Sequence, residues 1–311
     1  LKEDNMAGIL AIDAGGTKTS CAVIDKSGRL LTEVKTFKTP KTKAEIEQLF
    51  RRIIKEYEND TDACAFATAG SVNYDNTKVE GSTPNMPEGY CSIDFSSLSS
   101  KKVFVENDAN AAAWAEYKTG AAKGDKNTVT ITLGTGVGGG FIADGKLIRG
   151  KSGRAGEIGS IKINGRGRIC TCGRKDCFEA YASGTGLKIT AQETAENDSI
   201  FKSGIYKDKN PCDITTYDII DGIKKHDAYS IRVFEIWKQD IITGLINITD
   251  IFDPESIIIS GGLGKFIDTE EIETAVNSEI VTSPVKIRLA KAGNYSGMIG
   301  AALLAYEKFA Q

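Results

Sequence analysis

The chain has 311 residues, 41% apolar and 26% charged, with a formal net charge of −3. That is enough apolar material for two cores, and the charge offers no global attraction to nucleic acid or to an anionic membrane. No apolar run approaches the ~20 residues that span a bilayer, and the polar start Leu1-Lys2-Glu3-Asp4-Asn5 has no signal-peptide core. A cytoplasmic protein is expected, and residues 1–5 are given no function. Seven cysteines without a secretory signal speak against a disulfide framework. The one histidine, His226, lies in a charged stretch and is expected at the surface. A Ser-His-Asp or Cys-His nucleophile system is thereby excluded, and any general base is expected to be a carboxylate.

In chain order, residues 8 to 12, 19 to 25 and 29 to 36 predict three strands of an antiparallel meander. The first strand runs into Asp13-Ala14-Gly15-Gly16-Thr17-Lys18. Ile46, Leu49, Phe50, Ile53, Ile54 and Tyr57 recur at helical spacing and predict a helix with one buried face. Ala63 to Ala67 reads as a buried strand that ends at Gly70. Residues 71–100, poor in apolar side chains and holding Pro84 and Pro87, read as loop with short pieces of structure. Val103-Phe104-Val105 is a short strand, and Asn107-Asp108 are N-cap residue types ahead of an alanine-rich helix over 109–117. The polar stretch 118–127 reads as a hinge, dividing a smaller N-terminal domain (1–120) from a larger one (121–295).

The second half repeats the opening. Val129 to Leu133 runs into Gly134-Thr135-Gly136-Val137-Gly138-Gly139-Gly140, then Phe141-Ile142-Ala143 and the turn Asp144-Gly145. Turns so rich in glycine let backbone N–H groups converge on an anion, since no Cβ blocks close approach. Two such turns facing each other would hold a polyphosphate between two half-domains, which suggests ATP. The sequence is not a P-loop, because GxxxxGK[ST] is absent. A polar insert rich in glycine and cysteine follows over 149–178, then mainly helices and loops over 182–230. Ile231, Phe234, Trp237, Ile241, Leu245, Ile248 and Phe252 trace one face of a long helix that Asp253-Pro254 ends. Ser256 to Ile259 is a buried strand entering a third glycine turn, Ser260-Gly261-Gly262-Leu263-Gly264. The final helix, 296–309, is expected to pack back on the first domain together with the C-terminus (296–311). The duplicated pattern predicts an α/β protein with helices covering mixed sheets.

Several segments carry a family resemblance. Asp13 to Lys18, Glu106-Asn107-Asp108-Ala109-Asn110-Ala111, Leu133 to Gly138, Gly156-Glu157-Ile158-Gly159 and Cys170-Thr171-Cys172-Gly173-Arg174-Lys175-Asp176-Cys177-Phe178-Glu179 resemble the ROK family of sugar kinases and repressors. Tyr181-Ala182-Ser183-Gly184 and Ile259-Ser260-Gly261-Gly262 extend the match across nearly the whole chain in the right order. The resemblance implies a two-domain actin-like (ribonuclease H-like) ATPase fold, with ATP and sugar in an interdomain cleft, and a homodimer. The implied reaction is phosphorylation of a hexose or N-acetylhexosamine, glucokinase-like by default.

By the same resemblance Asp108 is the catalytic base, its alternative being a helix cap that Asn107 could supply alone. Asp13 orients Mg²⁺, in part through water, or else only bonds its own turn. Gly15, Gly16, Thr17 and Lys18, with Gly134, Thr135 and Gly136, form the phosphate cradle, and Gly261 with Gly262 lie against adenosine. The sugar side comprises Gly70, Asn85, Asn107, Asp108, Glu157, Ser160 and Glu179. Family members read Glu-x-Gly-His where this chain has Ser160, and that histidine joins three cysteines around zinc. Cys170, Cys172 and Cys177 remain. They hold zinc with an outside fourth ligand, for which Asp176 and His226 are candidates, or they are reduced thiols. Repressors of the family carry an N-terminal DNA-binding module, whereas this chain reaches its phosphate motif by residue 13. The kinase reading is therefore preferred over a sugar sensor or a degenerate member, with N-acetylmannosamine and N-acetylglucosamine as the other acceptors.

Overall fold

The computed structural model describes residues 8–81, 86–163, 166–195 and 199–310. Strands β1 (Ile9–Ala14), β2 (Lys18–Ile24) and β3 (Lys35–Lys38) form the antiparallel meander. The third strand lies later than 29–36. Leu30 makes only an isolated bridge to Ile24, whereas Phe37 packs on the core, so pairing forms where an apolar side chain has something to cover.

Helix α1 (Lys43–Glu56) starts at Thr42, whose hydroxyl donates to Glu45 Oε2 at 2.7 Å while accepting from Glu45 N–H. It buries Ile46, Leu49, Phe50, Ile53 and Ile54 on the first sheet. At roughly 1.5–3 kcal/mol of transfer free energy for each fully buried side chain, this face rather than helix propensity holds α1 in place. Strand β4 (Ala63–Thr68) is followed by a small hairpin, β5 (Ser71–Val72) with β6 (Val79–Gly81), and by β7 (Lys102–Asn107). Both β4 and β7 run parallel to β1, giving the order β3-β2-β1-β4-β7. Helix α2 (Asp108–Thr119) leaves the end of β7.

Strands β8 (Thr128–Leu133), β9 (Val137–Ala143) and β10 (Lys146–Leu147) open the repeat. Short helices α3 (Glu179–Ala182), α4 (Gly184–Ala195), α5 (Ser199–Ser203) and α6 (Thr216–Lys224) lead to the 25-residue α7 (Ala228–Phe252). Asp227 caps α7 by accepting from Ser230 N–H at 2.8 Å, and Asp253 ends it in the left-handed region at φ 45° before Pro254. Trp237, fully buried on this helix, donates from Nε1 to the Ser183 carbonyl at 3.1 Å. Strand β11 (Ser256–Ser260), helix α8 (Thr269–Asn277) and strand β12 (Lys286–Leu289) complete a second sheet of order β10-β9-β8-β11-β12, the same arrangement as the first. Neither α8 nor β12 was expected; in β12, Lys286-Ile287-Arg288-Leu289 is a half-exposed edge with one buried apolar position.

Helix α9 (Ser296–Phe309) packs on α2, β1 and β4. The two helices meet backbone to backbone: a Cβ on Gly300 would overlap the Ala111 carbonyl, which explains why α2 is built from alanine. Internal contacts divide the chain into one unit of residues 1–130, 140–156 and 290–311 and another of residues 131–139 and 157–289. Among the described residues no helix is long and apolar enough to cross a membrane.

Candidate active site

In the first unit the site grows from the carboxyl ends of parallel strands, where an α/β sheet leaves backbone groups and side chains free for ligands. The register places Asp13 beside Ala67 and Ala67 beside Glu106, so β1, β4 and β7 finish together. Asn107 is the N-cap of α2. Its Oδ1 accepts from Ala109 N–H at 3.0 Å and Asn110 N–H at 3.1 Å, and its Nδ2 donates to the Gly70 carbonyl at 3.0 Å. Asp108 is therefore the first residue of the helix and not its cap, and its Oδ1 accepts from Ala109 N–H at 2.9 Å. Gly70 adopts φ 100°, a conformation open to glycine, and this turns its carbonyl toward Asn107.

Asp13 and Asp108 sense each other. Burial pushes the Asp13 carboxyl up to about 7, the charge of Asp108 pushes in the same direction, and Lys18 opposes both. The adjoining turn is tight: Gly15 N–H donates to the Lys18 carbonyl at 3.1 Å, and Thr39 Oγ1 donates to the Gly15 carbonyl at 2.6 Å. Lys41 Nζ reaches the Gly16 carbonyl at 3.3 Å, while Thr17 and Lys18 are exposed. A half-buried carboxylate, costly to ionise and faced by a second carboxylate, is the chemistry that a divalent cation relieves. These residues thus fit Mg²⁺ at Asp13.

Two participants were not foreseen. Tyr90, buried and hydrogen-bonded to Thr68 Oγ1 at 2.7 Å, stands close enough to both aspartates for their charges to add to the upward shift that burial gives its phenol. It came from a stretch read as loop, where a lone tyrosine carries no pattern. Glu106 is 1% exposed and accepts from Asn107 N–H at 3.0 Å and from Asn110 Nδ2 at 3.2 Å. A glutamate inside an apolar strand was the signal that could have found it. Asn85 lies outside the described residues.

In the second unit, Gly134 N–H donates to the Gly136 carbonyl at 3.0 Å, and the Gly134 carbonyl accepts from Gly184 N–H at 2.8 Å. The Thr135 carbonyl accepts from Thr185 Oγ1 at 3.0 Å. The third glycine turn lies against the second: Gly261 is at φ 89°, a Cβ there would overlap the Leu133 carbonyl, and Leu263 N–H donates to that carbonyl at 3.2 Å. Cβ atoms on Gly134 or Gly262 would instead enter open space. Those two positions leave room for a ligand, while Gly261 serves the packing of the turns.

Glu179 ties this turn to the cysteine loop. Its Oε2 accepts from Val137 N–H at 3.0 Å, and its Oε1 accepts from Thr171 Oγ1 at 2.8 Å with Cys170 Sγ at 3.6 Å. A Cβ on Gly159 would overlap the Val137 carbonyl, so the Glu157–Ser160 turn also rests on Val137. Glu157 is exposed and Ser160 half-buried there.

The sulfurs of Cys170, Cys172 and Cys177 lie within 4.8 Å of one another, with Cys172 and Cys177 at 3.6 Å. Cys170 is pushed up to about 12 by burial, whereas a hydrogen bond from Arg174 draws Cys172 down to about 7. Three thiols converging on one point fit three of the four positions of a tetrahedral zinc. Neither expected fourth ligand belongs to the group. Asp176 Oδ1 instead accepts from the Tyr181 hydroxyl at 2.5 Å and from Gly167 N–H at 2.7 Å. Asp176 also sits at φ 62°, in the left-handed region that aspartate tolerates better than most side chains. His226 is exposed at φ 57° beyond the end of α6. Among the described residues no carboxylate or imidazole completes the three-thiol group.

The paired sheets and glycine turns define a member of the sugar-kinase class of actin-like ATPase folds, and comparison with known proteins agrees. The ROK family model matches residues 9–308. The chain is 33% identical to a glucokinase of Streptomyces coelicolor over 96% of this chain and 97% of that one. It is 31% identical to an N-acetylmannosamine kinase of Salmonella heidelberg over 95% and 97%. A crystal structure of a ROK family glucokinase from Streptomyces griseus, in complex with glucose and AMPPNP, superposes with a TM-score of 0.80 at 30% identity, covering 96% of this chain and 99% of that chain. The chain belongs to the ROK family.

Proposed function

We propose that the protein transfers the γ-phosphoryl group of ATP to a hydroxyl of a hexose or N-acetylhexosamine, with glucose as the default acceptor. The observation that carries this reading is the pairing of Asp13 with Asp108 at the carboxyl ends of β1 and β7. Phosphoryl transfer requires little covalent chemistry from the protein. It requires an aligned acceptor oxygen and neutralised phosphate charge. In this reading Asp108 takes the acceptor's proton as its oxygen attacks the γ-phosphorus, and ADP leaves. Asp108 acts by position, held at the first residue of α2.

Asp13 would hold Mg²⁺ with its water shell, and the ion supplies phosphate charge neutralisation when bound. Gly15 to Lys18 and Gly134 to Gly136 are the phosphate-contacting turns, and Gly261 with Gly262 the adenosine side. Gly70, Asn107, Glu157, Ser160 and Glu179 are the sugar side. Cys170, Cys172 and Cys177 would hold zinc as a structural ion, with its fourth position filled from outside the group. The reading includes a cytoplasmic homodimer.

A second acceptor class also has support in similarity, because an N-acetylmannosamine kinase relative is 31% identical against 33% for a glucokinase. A coupled ADP-release assay over hexoses and N-acetylhexosamines tests both. Sugar-dependent ADP release, greatest with glucose, is expected. Greatest release with N-acetylmannosamine moves the acceptor, and none with any sugar ends the kinase reading.

A further inference from the structure

Arg149 follows β10, outside every segment that carries the family resemblance, yet it is anchored beneath the reactive end of α2. Its Nε is 3.1 Å from Glu106 Oε2, an ion-pair contact whose angle does not make it a hydrogen bond. Nη1 donates to the Tyr74 carbonyl at 2.6 Å and to Asn76 Oδ1 at 2.9 Å, and Nη2 donates to the Asn73 carbonyl at 2.9 Å. The guanidinium also lies 5.7 Å from the centre of the Tyr74 ring. All of these groups belong to the first unit.

Glu106 is the junction. Each of its oxygens has two partners: Asn107 N–H and Asn110 Nδ2 on Oε1, Asn76 Nδ2 and Arg149 on Oε2. Only Arg149 carries the compensating charge among these, and Glu106 is almost wholly buried. Asn76 in turn closes the free edge of β7. At φ 63°, it accepts from Val105 N–H at 2.9 Å and donates Nδ2 to the Val105 carbonyl at 2.8 Å. The segment that follows Arg149 is pressed on the β5–β6 hairpin, because a Cβ on Gly153 would overlap the Val72 carbonyl. That hairpin begins one residue after Gly70, the acceptor of the Asn107 side-chain bond.

We propose that Arg149 is a positioning residue for the sugar end of the site. Through Glu106 it sets the Asn107 cap, and through Asn73, Tyr74 and Asn76 it sets the hairpin that presents Gly70. It touches neither substrate. A fork-shaped cation is needed because three carbonyl or amide oxygens and one carboxylate must be met at once, which an ammonium group cannot do. Removing it leaves a buried carboxylate without its charge partner, and the carboxylate relaxes by moving the groups hydrogen-bonded to it. A displacement below 1 Å at Asn107 is enough to impair a transfer that depends on alignment.

The inference rests on the kinase reading, and the test separates the two. Wild-type protein is first assayed for sugar-dependent ADP release, whose absence would end both. Arg149→Met and Arg149→Lys are then compared at full titration of both substrates. Arg149→Met is expected to raise the sugar KM and lower kcat, each by about tenfold or more, with the ATP KM changed less than about threefold and Arg149→Lys intermediate. A purely structural role would reduce the amount of active enzyme and leave the sugar KM alone. A folded Arg149→Met protein with a sugar KM within about twofold of wild type overturns the proposal. Should Arg149→Met fail to fold, the same criterion applies to Arg149→Lys.

Discussion

Glu179 Oε2 accepts a hydrogen bond from Val137 N–H at 3.0 Å, and it reaches that donor through space that Gly136 leaves vacant for want of a side chain. One carboxylate thereby joins the second glycine turn to the cysteine loop, its other oxygen resting on Thr171 and Cys170. The glycine at 136 is required less by backbone freedom than by this approach. Gly136→Ala is expected to expel Glu179 from Val137 and to lower kcat/KM for sugar and ATP by about tenfold or more, with a stability loss of about 1–3 kcal/mol from overpacking. Steady-state kinetics beside denaturant unfolding checks this, and unchanged kinetics would show that the bond has no bearing on turnover.

Asn107 is the N-cap of α2, and Asp108→Asn keeps an oxygen for the Ala109 N–H that Asp108 meets, so this substitution separates chemistry from folding. Asp108→Asn should leave sugar affinity within a few fold and reduce kcat by about two orders of magnitude or more. Sugar titration by calorimetry together with ADP release measures both. Normal turnover would remove Asp108 from the role of base.

Asp13 is raised from 3.8 to about 7. A carboxyl whose folded pKa lies above its unfolded value favours the folded state below about 4, and that contribution is lost as pH rises through about 7. The metal-free protein should therefore lose stability between pH 4 and pH 7 on account of this group, while Asp13→Asn should not. At pH 8 the Asn variant is expected to be more stable than wild type by on the order of 4 kcal/mol, shrinking toward zero near pH 4. Thermal unfolding of both proteins across this range, in the presence of a chelator, is the measurement. Parallel curves would mean that Asp13 is not strained by its surroundings.

The three clustered thiols should retain zinc even with serine at position 160. After expression with added zinc, metal analysis is expected to find about one zinc per chain, removable by chelator at lower pH because the thiolates must take up protons. A protein with no zinc under those conditions would place the cysteines among ordinary reduced thiols.

Long, periodic or glycine-marked segments spoke plainly in the primary structure. The apolar stripe from Ile46 to Tyr57 became α1, the stripe ending at Asp253-Pro254 became α7, and the repeated strand and glycine turn became two sheets of identical order. These depend on local spacing, which a chain displays whether or not it is folded. Strand β12 and helix α8 escaped notice because short, half-exposed elements owe their existence to neighbours. The types of residue at the site were equally visible, down to Asp13, Asp108 and the three cysteines. What the tertiary structure alone decided was their state and their partners. It made Asn107 the cap and released Asp108 from that task. It raised Asp13 through burial and a second carboxylate, turned Asp176 away toward Tyr181, and carried Arg149 to Glu106. Charge, desolvation and hydrogen-bond geometry act through space between residues far apart in the chain, so no reading of neighbours along it could supply them.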